Sequence, residues 1–593
     1  MKQNMKINIA LLVCLPLAAL SLHSCLLDYD NPGDELTGNE KQSSGTIYYG
    51  NADHIDYTKE ITQAGFAAAQ DSLKTLLGQL ITAEYAMRGG KEGNQPGPHA
   101  YQYQFSLCVD NYAGYFCLPQ NFNGRITSTY YVNTDFNGGP NGSFMVVKNA
   151  LVPLLNHPQI DSIPEMKAVA LLLYDYSSQE IGDLYGAFPY VDYKNNKQAH
   201  PYTHNSLNDI YFNIVNNLDT IVACFDRFES RPQWYKDKIS SMLNRYDELV
   251  KDKKIDTWKR FANSLKLRMA MHCAKVEPQK AQAWAQEAVL SGVIESTSQE
   301  VAVSPAYSGF TNPLLEISET WNDTRLNASF ESLLMSLNHP YASYLFLKNS
   351  DALINAADNS KVLPAGTRVV GLRAGLRMLP GQTYAVNERD GYSKLNNSVI
   401  AMCPLYLMKL SEVAFLRAEG ALRGWNMQGT ASGFYEQGLQ YAYLEDRDFS
   451  SQYTAQLDSY KNLDKAVAYT YEDPMDAANN HVSVTSIGVK WNDADDRETK
   501  LEKIITQKYI ALFPYSYEAW SEMRRTGYPK LFPVLNVEDG DKSLKEGDLI
   551  RRMPFPGDTE GVLQDIATSG LKALGGADLQ ATRVWWDNGA ANF

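Results

Sequence analysis

Gln507-Lys-Tyr-Ile-Ala-Leu-Phe-Pro514 runs, three residues later, into Glu518-Ala-Trp520-Ser-Glu-Met-Arg524-Arg525-Thr-Gly527-Tyr-Pro529. Apolar spacing at three and four residues predicts a helix over Leu501 to Phe513. The second stretch reads as the end of another helix. Arg524 and Arg525 supply a cationic last turn, Gly527 the residue past the end and Pro529 the breaker. These signals are architectural: they say where helices stop, without marking a reaction site.

The same grammar recurs upstream. Leu405 to Leu422 reads as a helix with Ala414, Ala418 and Ala421 on one face, broken by Gly424 and Trp425. A second helix starts near Thr430 and turns Tyr435 and Leu439 back onto the first, as in a tetratricopeptide unit. Trp258-Lys-Arg-Phe-Ala-Asn263-Ser-Leu-Lys-Leu-Arg268 lies on a predicted helix, Thr257 to Cys273, whose Trp258, Phe261, Leu265 and Met269 form a stripe made for burial. Ile181-Gly-Asp-Leu-Tyr185-Gly-Ala-Phe-Pro189-Tyr190 follows a predicted helix, Glu165 to Ile181, with Gly186 and Pro189 as stop and turn. Further helices are expected from Glu60 and over Ser206 to Phe228 and Gln279 to Leu290. The fold class is therefore mostly α, with helix pairs but no fixed-period array. Four long polar stretches interrupt it: Gly89 to Gly142, Ser296 to Thr324, Leu363 to Val399 and Glu445 to Arg497. Loops beyond about fifteen residues are uncommon unless functional, so ligand and partner surfaces are expected there.

Composition bounds the function. A hydrophobic content of 44% against 21% charged residues is that of a folding chain rather than a disordered one. A net charge of −14 opposes a general role on phosphate backbones, which need clustered Lys and Arg, so nucleic acid is not an expected partner. Lys2 and Lys6 followed by the apolar run Ile7 to Leu22 have the layout of a secretory signal. It ends in Leu22-His23-Ser24-Cys25, which resembles a bacterial lipobox; Cys25 is the expected lipidation site, with His23 where a small residue is usual. Asp28 to Gly50 is too polar to fold alone. The chain thus divides into a signal peptide (1–24), a lipidated flexible tether (25–55) and one body (56–593). Five cysteines remain in the body, an odd and sparse set read as small buried hydrophobes; only Cys108 and Cys117 are close enough in sequence to suggest a bridge.

Together the three quoted motif regions, with Arg551-Arg-Met-Pro-Phe-Pro556 and the Ala418 to Trp425 run, resemble the SusD/RagB family of nutrient-binding outer-membrane lipoproteins across most of the mature chain. The resemblance implies a helical body on tetratricopeptide-like pairs, lipid-anchored and exposed at the cell surface. It would sit as a lid over a SusC-like TonB-dependent barrel, helix pairs toward the barrel and the irregular half toward the ligand. It implies non-catalytic capture of oligosaccharide or polysaccharide fragments, with oligopeptide capture as the alternative within the family. Its ligand-holding aromatics occupy no fixed motif positions, so none carries over.

Bottom-up chemistry must nominate them. A sugar ring offers a face of C–H groups and a rim of hydroxyls, and asks for an exposed aromatic beside planar polar side chains. Tyr112, Tyr115 and Phe116, followed by Asn121, Asn123 and Arg125, form one such loop; Trp321, Asn322 and Arg325 form a second, and Tyr384 stands in a third. Thr320, Asn322, Asp323 and Thr324 surround Trp321, as expected of a loop tip. The chain lacks G-x-S-x-G, H-E-x-x-H, a P-loop and G-x-G-x-x-G, and its nine histidines are scattered. No catalytic residue, cofactor or metal is therefore assigned, although a glycoside hydrolase needs only two facing carboxylates and leaves no local signature. Asn492-Asp493-Ala-Asp495-Asp496 lacks the glycine and ligand spacing of a calcium loop and reads as a solvated acidic turn.

Overall fold

The computed structural model describes residues 50–593 apart from 90, 93–94, 120–137, 309–310, 355–359, 377–390, 444–453 and 538–540. The signal peptide, Cys25 and the tether up to residue 49 lie outside the described residues. The last part of the expected tether does not behave as one. Ala52 and Ile55 are buried, and Asp53 ion-pairs with Lys194 at 2.5 Å, so the body begins by residue 50.

The described chain is mostly helical. Its long helices are α1 (Gln63–Ala86), α2 (Gly139–Leu155), α3 (Pro164–Tyr185), α4 (Leu207–Phe228), α5 (Gln233–Tyr246), α6 (Ile255–His272), α7 (Pro278–Ser291), α8 (Leu410–Leu422), α9 (Ala431–Ala442), α10 (Arg497–Leu512) and α11 (Ser516–Thr526). They pack in consecutive pairs, α1 on α2, α3 on α4, α6 on α7 and α8 on α9, and the pairs stack through α2–α3, α4–α6, α6–α8 and α8–α10. The ends follow the sequence. Ser206 Oγ accepts from Asp209 N at the start of α4, Thr430 Oγ1 from Gly433 N at the start of α9, and Asp496 Oδ1 from Thr499 N at the start of α10. Gly186 and Gly527 close α3 and α11 in the left-handed region, both at φ +81°. Asp496 as a cap, Asp495 paired with Lys503 and Asp493 accepting from Trp491 Nε1 account for the acidic turn.

Three further expectations are corrected. Leu405–Met408 is a strand paired with Val301–Val303, and the helix starts only at Leu410. All four strand residues are buried, and a short apolar run carries no periodicity to distinguish strand from helix. Helix α2 lies partly inside a stretch read as polar loop, its start hidden by Gly139, Pro140 and Gly142. Cys108 and Cys117 are free; each thiol donates to backbone carbonyls instead, Cys108 to Gln104 O and Cys117 to Leu372 O.

The motif stretches converge on one buried network of charge. Trp258, Phe261, Leu265 and Met269 are fully buried, as the stripe predicts. Arg268, on the same helix, donates to both oxygens of Glu412. Lys508 Nζ lies 2.6 Å from Glu518 Oε1 and 2.9 Å from Glu522 Oε1, and Arg525 pairs with Glu419 and Glu522. Asp183 accepts from Tyr211, from Trp586 and from His272. Burial alone would raise the carboxyl of Glu518, but Lys508, His272 and Arg268 outweigh it and hold it well below the usual range. Burial alone would lower His272, yet Glu518 and Asp183 lift it to about 9. His272, Glu518 and Glu522 group closely enough to hold a metal ion, but Lys508 already supplies the cation there.

Candidate ligand surface

The structure brings the two nominated loops together, though not as a shared ligand face. Phe116–Cys117 pairs antiparallel with Arg325–Leu326, Phe116 opposite Leu326 and Cys117 opposite Arg325. That ladder lies inside the body. Tyr112 packs its ring 5.3 Å from Trp520. Tyr115 sits among Phe330, Tyr509 and Phe513 and donates its hydroxyl to Tyr509 O, and Phe116 packs on Phe513. All three are buried and have no face to offer a ligand, which corrects their nomination. Their rings pack instead against Trp520 of α11, Tyr509 of α10 and Phe513 just past it.

Arg325 is corrected too. Its guanidinium is buried and spent on the loop's own acceptors, Thr324 O at 2.7 Å and the side-chain oxygen of Asn322. It holds the turn in place of a ligand. Tyr384, Asn121, Asn123 and Arg125 lie outside the described residues.

Among the described residues, Trp321 and Asn322 are the nominated ones that reach the surface, both half-buried. They follow two short helical turns, Pro313–Leu315 and Glu316–Thr320, the first capped by Asn312 Oδ1 accepting from Leu314 N. Trp321 N donates to Glu316 O and Asp323 N to Ile317 O, so the turn is closed by its own backbone. Asn322 takes φ +62°, a left-handed conformation that asparagine tolerates better than most residues. Gln102 Nε2 donates to Asp323 Oδ2 at 2.9 Å and ties the turn to the segment Pro98–Ser106.

That tie delivers a residue the sequence reading missed. The exposed imidazole of His99 lies against the indole of Trp321, ring centroids 4.4 Å apart and planes inclined by 49°. Exposed Glu319 and Thr320 border the pair. Two inclined rings beside an asparagine, a carboxylate and a hydroxyl form a small aromatic step with hydrogen-bonding rims, the chemistry a pyranose asks for. His99 stands 222 positions from Trp321, and only a helical turn started by Pro98 hints at its placement.

The described residues define a class of protein built on stacked helix pairs with long irregular connections, one of which carries a surface ring pair. The model for the SusD-like family, described as Susd and RagB outer membrane lipoprotein, matches residues 50–587, and the chain belongs to that family. Among solved structures, a chitin-binding SusD homologue from Flavobacterium johnsoniae superposes with a TM-score of 0.74 at 30% identity, covering 88% of this chain and 100% of its own. A SusD homologue from Bacteroides vulgatus gives 0.72 at 25% identity over 88% of this chain and 100% of that one. One from Bacteroides thetaiotaomicron gives 0.70 at 27% over 87% and 99%. No curated protein matches. The family places the protein at the outer membrane, and among the described residues no helix is long and apolar enough to cross a membrane.

Proposed function

We propose that the protein captures glycan fragments at the cell surface on the step formed by Trp321, His99 and Asn322, and passes them to a SusC-like TonB-dependent barrel without chemistry of its own. The observation that carries this is the Trp321–His99 pair, a surface aromatic site on a turn that its own hydrogen bonds make rigid. Membership of the SusD-like family supports it, as does likeness to a homologue that binds chitin. In this reading residues 1–24 are the signal peptide and Cys25 carries the lipid, with a polar tether up to the body.

Panels of soluble polysaccharides, oligosaccharides and peptides, titrated against the mature protein and against Trp321→Ala, test the proposal. Saturable binding of a glycan that Trp321→Ala weakens is the expected result. Binding confined to peptides would replace it with oligopeptide capture. New reducing ends in a bound glycan, lost on one Asp or Glu substitution, would make the protein a hydrolase.

A further inference from the structure

Two of the motif stretches end at a cavity that neither the ligand surface nor the charge network uses. Its volume is about 70 Å³. Phe188 and Pro189 from the turn after α3, Phe555 and Pro556 from the Arg551 to Pro556 stretch, and Tyr193 and Tyr202 form its walls. The segment His200-Pro-Tyr-Thr-His204 closes one side by clamping onto the C-terminal helix that begins at Glu560. His200 Nδ1 meets Asp565 Oδ2 at 2.5 Å, and His204 Nδ1 meets Ser569 Oγ at 3.2 Å. Gly561 leaves the space His200 occupies, since a Cβ there would stand 3.0 Å from the imidazole.

The cavity's acidic group is Asp565, met on one oxygen by His200. Asp565 is buried in its lining, and its second oxygen, Oδ1, takes no partner among the described residues. Burial pushes His204 down to about 4, so it adds no positive charge near neutral pH. Lys148 and Lys197 approach the rings of Tyr193 and Tyr202 from outside the lining, 5.1 and 5.7 Å from their centroids, and Lys197 is paired with Asp192. A carboxylate among tyrosine and phenylalanine rings is the arrangement that attracts an organic cation, through the ring quadrupole and the ionic hydrogen bond together. The volume limits the guest. It is far below the several hundred cubic ångströms typical of a small-molecule site and suits a single side-chain head.

We infer that this cavity is a binding site for one organic cation of side-chain size, a guanidinium or alkylammonium head, held by Asp565 between the rings of Tyr202 and Phe555. It goes beyond the glycan reading and stands or falls apart from it. The fitting source is an arginine or lysine side chain of a protein docked on this face, because anchors of that kind fill such pockets at interfaces.

The test is a titration of the mature protein with methylguanidinium and n-butylammonium, against the neutral isostere N-methylurea, read from the imidazole NMR signals of His200 and His204. Saturable shifts with the cations, absent with N-methylurea and weakened in high salt, are expected. Asp565→Asn weakens the cation at least tenfold. Tyr202→Leu keeps the Asp565–His200 pair and weakens it severalfold, which decides the matter if Asp565→Asn fails to fold. Equal shifts with N-methylurea, or unchanged cation affinity in Tyr202→Leu, overturn the inference. The tripeptide Gly-Arg-Gly assigns the source: binding tighter than methylguanidinium supports a protein partner, and weaker binding overturns that assignment in favour of a free amine.

Discussion

Arg268 donates to both carboxylate oxygens of Glu412, at 2.7 and 2.9 Å, with neither side chain more than 1% exposed. A pair so buried repays its desolvation only while both members are present. Arg268→Met is expected to destabilise the protein by about 3 to 5 kcal/mol, because it leaves buried Glu412 with only the more distant Lys508, 3.9 Å away, to balance its charge. The double variant Arg268→Met with Glu412→Leu recovers most of that loss. Urea unfolding of the three proteins measures it; a double variant as unstable as the single one would show that the pair does more than balance charge.

His272 should make stability depend on alkaline pH. Its folded value of about 9 stands above the ordinary 6.5. The stabilisation it provides is therefore complete below pH 6.5 and lost as pH rises through 9, with a magnitude of about 3 kcal/mol. The difference in unfolding free energy between the natural protein and His272→Gln isolates this effect from other groups. It should shrink from pH 6.5 to pH 9.5, and a constant difference would show that His272 is neutral in the fold.

Tyr115 and Trp321 should separate stability from binding. Tyr115→Ala removes a ring from the core and its hydrogen bond to Tyr509, and is expected to cost about 3 to 5 kcal/mol. Trp321→Ala, at a half-buried position, should cost no more than about 1 to 2 kcal/mol while lowering glycan affinity at least tenfold, about 1.4 kcal/mol. His99→Ala should lower affinity with a still smaller effect on melting. A large loss of melting temperature in Trp321→Ala, with affinity per folded molecule intact, would return the indole to the core.

Cys25→Ala is expected to leave the body folded and to release it from the membrane. Lipid on that cysteine is the proposed anchor, and acyl chains contribute about 0.8 kcal/mol per buried methylene. Fractionation in a strain lacking the proposed partner barrel checks this. Retention of Cys25→Ala with the outer membrane would end the lipoprotein reading.

Helix periodicity and caps were legible because they act within a turn or two. Ser206, Thr430, Gly186 and Gly527 each do in the structure what their neighbours in sequence announce, whereas Asp496, read as part of a solvated turn, caps a helix that starts four residues earlier than expected. The ligand surface was legible only in part. Trp321 stood out through its polar neighbours, but Tyr112, Tyr115 and Phe116 carried the same local signal and went inside. Polar flanks do not reveal whether a loop folds back; the ladder from Phe116 to Leu326, which decided it, joins residues over two hundred positions apart. His99 was hidden for the same reason, and the cation cavity more so, since its walls come from three separate regions of the chain.

Trp586 donates its indole N–H to Asp183 at 2.6 Å across 403 positions of sequence, inside the same network that holds His272 and, through it, Glu518. A chain emerging from a ribosome or an export channel has Asp183 long before it has Trp586. Until Trp586 arrives, Asp183 near the end of α3 lacks its indole donor. The core is thus completed by a contact between distant parts of the chain, of the non-local kind whose loop-closure cost slows folding.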